Sequence, residues 1–510
     1  MRRDVGSLAL ACAPAAALIF ALSLTACTVG PNYYRVAAPV PSKFKELKGW
    51  KVATPADAVD RGDWWALYHD RKLSRLIEQV AISNQTVAAA AAAYEQARAL
   101  IREAQASLFP VISASYDATR SHIGARAGGG GSSAISGFSG GVGGGSGSSF
   151  VAQLSGSWDL DVWGKVRRQI ESNTAAAQAS AADLDNAKLA AQGQLTAAYF
   201  NLRTADSLRD LLNRTVVQYK ETLRITRDKF NAGYGPSGST CCTTADVALA
   251  EALVLTTEAQ AINVGVQRAQ FEHAIAMLIG RPPAELTIER LMLIGRIPKI
   301  PVVVPSTLLE RRPDIAGAER AMQQQNALIG VAVAAYYPDI SLSGALGWAG
   351  THPLPFNVAN EIWSLGAAAS ETLFEGGLRA AQVDAARAVY WQSVANYRQT
   401  VLTAFQQVED QLAALRILTQ QLAVQQRAVN DARQAVQVYM NQFRAGTIDL
   451  TTVVTAEVTA LTDEEAELTT RQNLFLASIN LILALGGGWD STLLPTQKEM
   501  VKGVRFTPIL

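Results

Sequence analysis

Phe230-Asn231-Ala232-Gly233 closes a proline-free stretch that begins at Lys165, and Phe443-Arg444-Ala445-Gly446 closes a second that begins at Leu378. Each stretch follows a glycine, Gly164 or Gly377, and in both the glycine lies 66 positions before the phenylalanine. Both are rich in Ala, Gln, Leu, Arg and Glu, the residues that enter helices at least cost. Steps alternately three and four residues long from Leu195 meet Ala198, Leu202, Ala205, Arg209, Leu212, Val216, Tyr219, Leu223, Thr226 and Phe230. The equivalent steps from Val408 meet Gln411, Leu415, Leu418, Leu422, Gln425, Val429, Ala432, Val436, Tyr439 and Phe443. This is the heptad seam of helices that pack along their length. At about 1.5 Å per residue, such a helix runs roughly 100 Å, far longer than a globular core needs. Two rods of that length predict that the protein spans something.

The repeat extends outward from the rods. A helix is expected from about Asp70 to Phe109, stopped by Pro110, and a counterpart from Arg312 to Tyr337, stopped by Pro338, since proline disfavours a helical predecessor. Asn84 and Arg312 each lie 26 residues before their prolines, so the repeat reaches back at least that far. Beyond each Phe-x-Ala-Gly turn a second helix returns, Asp246–Ile279 and Thr451–Leu485, ending at glycine and proline stops.

After Pro110 and Pro338 the period changes to two. Ile112, Ala114, Tyr116 and Ala118 alternate with Ser113, Ser115, Asp117 and Thr119. The same alternation recurs over 150–160, 339–348 and 363–373, giving four strands with one apolar face and one small, polar face. Aromatics stand near the strand ends, as in transmembrane barrels; a soluble two-faced sheet has the same alternation. Glu371 interrupts the apolar register of the fourth strand. A Gly/Ser run, 128–149, reads as a flexible loop between the first two strands. Four strands cannot enclose a lumen, and open strand edges are excluded from lipid. If the strands span a membrane, a cyclic homo-oligomer is required.

The N-terminus reads as an export signal: Arg2 and Arg3, an apolar stretch from Leu8 to Leu24, then Leu24-Thr25-Ala26-Cys27. No run of 18 or more apolar residues follows it, so any later membrane span is expected to be β. The chain divides into a signal, 1–26; a tether, 27–69; a first repeat, 70–280; a connector, 281–311; a second repeat, 312–489; and a tail, 490–510.

Several function classes find no support. The net charge of +1 offers nothing to a nucleic acid. Of the four cysteines, Cys12 and Cys27 fall in or beside the signal, leaving the adjacent pair Cys241 and Cys242, too few for a disulfide framework or a metal set. His69, His122, His273 and His352 are scattered, the six methionines do not cluster, and no phosphate loop, nucleophile elbow or zinc motif is present. The acidic run Asp463-Glu464-Glu465-Glu467 reads as a solvated helix face. No enzymatic role and no cofactor are expected.

Leu-Thr-Ala-Cys27 resembles the bacterial lipobox, whose cysteine becomes the lipidated first residue, and Thr28 after it favours the outer membrane. Cys27 followed by Val29-Gly30-Pro31-Asn32-Tyr33, the connector Leu308-Leu309-Glu310-Arg311-Arg312-Pro313-Asp314-Ile315 and the ending Ala484 to Trp489 together resemble the TolC-like outer-membrane factors. The likeness is to the NodT-type lipoprotein branch that serves RND efflux systems. Trp158 to Lys165 and Leu373 to Gly377 are similar to that family's openings of the long helices.

The resemblance implies a mainly α fold with a membrane β part, built from two structural repeats. A homotrimer would form a twelve-stranded barrel in outer-membrane lipid, continued by a twelve-helix periplasmic tunnel. Its implied partners are a periplasmic adaptor and an inner-membrane RND pump that supplies the energy. The Phe-x-Ala-Gly turns would lie at the periplasmic tip, with Gly233 and Gly446 as turn formers and Arg444 and Asp449 as adaptor contacts. Two departures fall there. Thr452 and Thr455 occupy positions that are often acidic in the family, with Asp449 and Glu457 nearby instead. The first tip also carries seven extra residues, which include Cys241 and Cys242. Within transport, the rival reading is a type I secretion duct; outside it, a surface-anchored coiled-coil structural protein.

Overall fold

The computed structural model describes residues 28–41, 43–46, 63–123, 145–233, 242–293, 295, 297–298, 300 and 311–501. Helices α1 (Arg71–Ser83) and α2 (Gln85–Ala106) lead into strands β1 (Val111–Ile123) and β2 (Gly145–Leu160). The long α3 (Lys165–Asn231) and the return helix α4 (Thr244–Leu278) follow. Then come α5 (Pro313–Ala334), β3 (Asp339–Gly350), β4 (Glu361–Ser370), the long α6 (Leu378–Ala445), the return helix α7 (Leu450–Ala484) and a short α8 (Gln497–Val501).

The long helices follow the expected residues almost to the end. Both start from a left-handed glycine, Gly164 at φ +80° and Gly377 at φ +88°, which turns the chain out of the strand direction. Along α3 the seam is buried at Leu195, Leu202, Leu212, Tyr219 and Thr226, but Phe230 at its end is 42 % exposed. Along α6 only Val408, Leu415, Val429 and Phe443 of the seam are buried. The difference has a geometric cause: α3 has α4 on one side and α7 on the other, whereas α6 stands at an edge beside α7. Side by side, the four helices run α4–α3–α7–α6. The outer edges leave Leu255, Ile262 and Val266 of α4, and Trp391, Ile417 and Val424 of α6, open. By length and composition α4 could cross a membrane. It reaches that threshold through a high average rather than an unbroken apolar run, and it lies lengthwise on α3.

The expected helix over 70–109 is two helices. Asn84 is extended (φ −68°, ψ 123°), its Oδ1 accepts from the Val87 amide at 3.0 Å, and its Nδ2 donates to the Leu278 carbonyl at 2.7 Å. It therefore ends α1 and caps α2. The tether is also more structured than a tether: Trp64–Tyr68 form a 3-10 turn, and Trp64, Trp65 and Phe44 are buried in the main core with Leu73, Leu195 and Tyr397. In the tail, Leu494 and Met500 pack with Trp489, Ile101 and Ala181.

The sheet is antiparallel in the order β1-β2-β3-β4, so β1 and β4 are its edges. Directly opposed residues share a face. One row runs Ala114, Leu154, Leu346, Trp363, and the next Ile112, Gly156, Gly344, Leu365. On the other face Ser113 lies opposite Ser155, their hydroxyls 2.8 Å apart. The apolar face is open, with Ile112, Trp363 and Leu365 each more than two-thirds exposed.

Several strand boundaries differ from expectation: β3 runs on to Gly350, β4 starts at Glu361, and two further differences have a physical cause. β2 begins at Gly145, so 145–149, assigned above to the Gly/Ser loop, pairs with Thr119 to Ile123. Backbone hydrogen bonds suffice for this extension, and apolar side chains are not needed. The rest of that loop, 128–144, lies outside the described residues. β4 stops at Ser370 instead of Leu373. Glu371 is therefore outside the strand, where its carboxylate pairs with Arg379 at the start of α6.

Candidate functional site

The far end of the helical rods gathers the sequence-predicted tip residues. Gly233 (φ +62°) and Gly446 (φ +79°) are both left-handed, and their amides donate to the Phe230 and Phe443 carbonyls at 3.2 and 3.0 Å. A methyl group at either position would meet nothing within 4 Å. The backbone angle, not space, requires glycine there.

Arg444 reaches across to α3, its Nη2 lying 3.6 Å from Glu221 Oε1. Glu221 is also held by Arg224, whose hydrogen bond and charge lower its carboxyl below the ordinary range. Lys229 of α3 sits 4.3 Å from the centre of the Phe443 ring and donates to the Phe443 carbonyl. Phe443 is fully buried in an apolar cluster with Tyr219, Leu223, Val254, Leu450 and Val453. The two Phe-x-Ala-Gly turns therefore differ: Phe443 locks the cluster, and Phe230 faces outward.

Asp449 caps α7. Its Oδ1 accepts from Thr452 Oγ1 at 2.6 Å and from the Thr452 amide at 3.2 Å, and these bonds hold its carboxyl below the usual range. Asp449, Thr452, Thr455 and Thr459 line an open groove of about 480 Å³ against Ala432, Ala435 and Tyr439 of α6. Arg444 and Gly233 are not in that groove. Thr455 and Thr459 donate to the carbonyls four residues back, so their methyl groups remain for the groove.

Glu457 does not stand in for the missing acidic residues. It is 4 % exposed and turned toward α3, where its Oε1 accepts from Thr222 Oγ1 at 2.8 Å. Burial raises its carboxyl to about 7. Sequence reasoning missed Thr222, Glu221 and Lys229, because each is an ordinary helical residue until the second hairpin lies beside it. Cys241 lies outside the described residues; Cys242 is left-handed at φ +73° and packs against the tip cluster.

A second locus lies at the junction of strands and rods. Cys27 is outside the described residues, but Thr28 packs on Gly164, the residue that starts α3. The Val29 amide donates to the Trp163 carbonyl at 3.1 Å. Buried Arg168 donates to the carbonyls of Val29 and Gly30 and to Asn32 Oδ1. Trp163 stacks on Tyr337 at 4.8 Å and donates to the Pro338 carbonyl, while Trp158 donates to the Leu108 carbonyl. Among the described residues, no group of three or more His, Cys, Asp or Glu is placed to hold a metal.

Long rods joined to an outward-apolar sheet define a protein that bridges a membrane surface and an aqueous space. The chain belongs to the outer membrane efflux protein family, which it matches over residues 76–281 and 304–487. It is 27 % identical over 478 residues to the probable efflux pump outer membrane protein TtgC of Pseudomonas putida, covering 92 % of this chain and 94 % of that one. It is 28 % identical over 483 residues to Nodulation protein T of Rhizobium leguminosarum bv. trifolii, covering 92 % and 96 %. Among solved structures, the outer-membrane channel OprN superposes with a TM-score of 0.81 at 28 % identity, over 91 % of this chain and all of that one. The protein is thus a mainly helical, TolC-like efflux channel of the outer membrane.

Proposed function

We propose that the protein is the outer-membrane duct of a tripartite RND-type efflux system, working as a homotrimer. The observation that carries this reading is the four-stranded sheet, whose edges β1 and β4 are both unpaired among the described residues and whose apolar face is open. Pairing β4 of one copy with β1 of the next removes every edge, and three copies give twelve strands. The same rotation sets the open apolar edge of α4 against that of α6 in the neighbour, extending the barrel into a twelve-helix tunnel. The twofold internal repeat is the basis of this geometry, each half supplying one β-hairpin and one pair of long helices.

Cys27 carries the lipid in this reading. Thr28 packs at the sheet-to-rod junction, which supports an anchor at the inner leaflet of the outer membrane. The tip bearing Gly233, Arg444, Gly446 and Asp449 meets a periplasmic adaptor, which links it to an inner-membrane pump. Arg444 and Glu221 are exposed charges available for that contact, as are Arg224 and Asp228 of α3, while Asp449 also holds the start of α7. The duct is passive and needs no catalytic group or cofactor beyond the lipid.

Native mass in detergent tests the assembly, with a trimer expected and a stable monomer overturning it. A deletion strain and its complemented control, compared on lipophilic drugs, detergents, aromatic acids and metals, test the function. Hypersensitivity restored by the gene is the expected result. An unchanged panel with loss of one secreted protein would move the assignment to type I secretion.

A further inference from the structure

Glu457 occupies the seam between the two helical hairpins, just above the tip. Thr222 Oγ1 donates to its Oε1 at 2.8 Å, while its Oε2 is buried with no partner among the described residues. Tyr219, on the same face of α3 and 1 % exposed, likewise has a buried hydroxyl without a partner among those residues. Val453, one turn back on α7, is fully buried and continues the seam into the apolar tip cluster. Two orphaned polar atoms in one helix interface are costly, and native proteins rarely keep them without a use.

The charges around this seam are spoken for. On α3, Lys220 and Arg227 pair with Glu258 and Glu251 of α4 at 2.5 and 3.2 Å. On α6, Arg433 pairs with Glu464 at 2.6 Å. The titratable group that α3 turns toward Glu457 is Tyr219, which burial and then Glu457 raise above its ordinary value. On α7 itself, Glu465 is partly buried two turns further on, and burial raises it as well. Desolvation of Glu457 is opposed by the Thr222 hydroxyl alone.

We propose that Glu457 is a proton-operated latch between the hairpins. Protonated, it stays in the α3–α7 seam and keeps the wall closed; ionised, it draws water in and the seam loosens above the tip. Its effect on passage rests on the duct reading given above. A wall that holds Glu457 buried binds more protons than an opened one between the ordinary glutamate value of 4.5 and about 7. The closed wall therefore loses stability relative to the opened one as pH rises through that window, by up to about tenfold per pH unit per protomer. Above the window the difference is constant.

The full-length protein, reconstituted in planar lipid bilayers, would be measured for conductance from about pH 5 to about pH 8. Infrared difference spectra over the same range would report protonated carboxyl groups. For the wild type, conductance should rise with pH, and a buried carboxyl band should disappear with a midpoint between the ordinary 4.5 and about 7. Glu457→Gln should abolish that band and hold conductance at its low value throughout. Thr222→Val, which removes the hydrogen bond favouring the anion, should move both midpoints upward, and it keeps the test available if Glu457→Gln fails to fold. Glu465→Gln should leave the response in place. A Glu457→Gln channel with the wild-type pH response, or a carboxyl band unaffected by that change, would overturn the latch. A protein that conducts at no pH would overturn the duct instead, and the infrared measurement would still decide whether Glu457 holds a proton.

Discussion

Arg312 donates from Nη1 to the carbonyl oxygen of Ala484 at 3.0 Å, and Asn84 donates from Nδ2 to that of Leu278 at 2.7 Å. Ala484 and Leu278 are the last residues of the return helices α7 and α4; Arg312 and Asn84 are the N-caps of α5 and α2. One contact is thus made twice. In each half, the end of the return helix is tied to the start of the helix that leads into the β-hairpin. The tie satisfies a carbonyl that a helix C-terminus otherwise leaves open.

The glycines beside these ties give the first prediction. Gly280 (φ +69°) and Gly486 (φ +92°) are left-handed, and a methyl group at either would drive into the backbone carbonyl of Ser83 or Arg311. Gly486→Ala should cost more than the roughly 1–2 kcal/mol of a left-handed alanine, because backbone must also move. Gly446→Ala, with open space around it, should cost only the backbone term. Thermal melts of the two variants should separate them clearly.

Asp206 is the next target. Buried with Arg203, it receives Arg268 Nε on Oδ1 at 2.8 Å and the Leu291 amide on Oδ2 at 3.2 Å. Arg203 and Arg268 in turn donate to the carbonyls of Glu289 and Ile288. Removing one member of a buried ionic network costs about 3–5 kcal/mol. Asp206→Ala should therefore release 286–293 from the helices, seen as faster protease cleavage in that segment, while the tip ion pairs are left intact.

At the tip, Asp449→Ala should weaken the start of α7 by about 1 kcal/mol, and Asp449→Asn by less, since asparagine also caps. The folded carboxyl lies below the ordinary aspartate value of 3.8. Its contribution is therefore complete above that value and is lost as pH falls through the lower, folded one. Hydrogen exchange at Thr452 and Val453 should show the fraying in the alanine variant at neutral pH, and in the wild type only in strong acid.

The two faces of β4 should respond oppositely to one charge. Trp363 lies in the apolar row with Leu346 and Leu154, whereas Ser364 lies beside Ala345 and Ser155 on the polar face. Trp363→Arg, near the strand end, should cost less than the about 2–4 kcal/mol of an arginine at the bilayer midplane and lower the yield of the proposed trimer. Ser364→Arg should assemble normally and alter conductance. The trimer fraction on native gels checks the first outcome, and bilayer recordings check the second.

Much of this architecture was legible because it is periodic. The heptad seam placed α3 and α6 to within a residue, and strict alternation placed the four strands. Asn84 was illegible as a break: nothing beside it signals a stop, and it becomes a cap only because the Leu278 carbonyl arrives there. The strand through Ser146 to Ser149 was equally hidden, since its stability lies in backbone pairing with β1. Glu457 and Asp449 look alike in the sequence, yet one is buried against Thr222 and the other caps a helix in solvent.

By itself, the sequence determined the rods, the hairpins, their duplication and the apolar face of the sheet, since each follows from local propensity and from a period of 2 or 3.6 residues. Only the tertiary structure decided which polar groups lose water, which helix stands at an edge and which turn faces outward. Those properties depend on what lies across each interface, and the partners there are supplied by the other half of the chain.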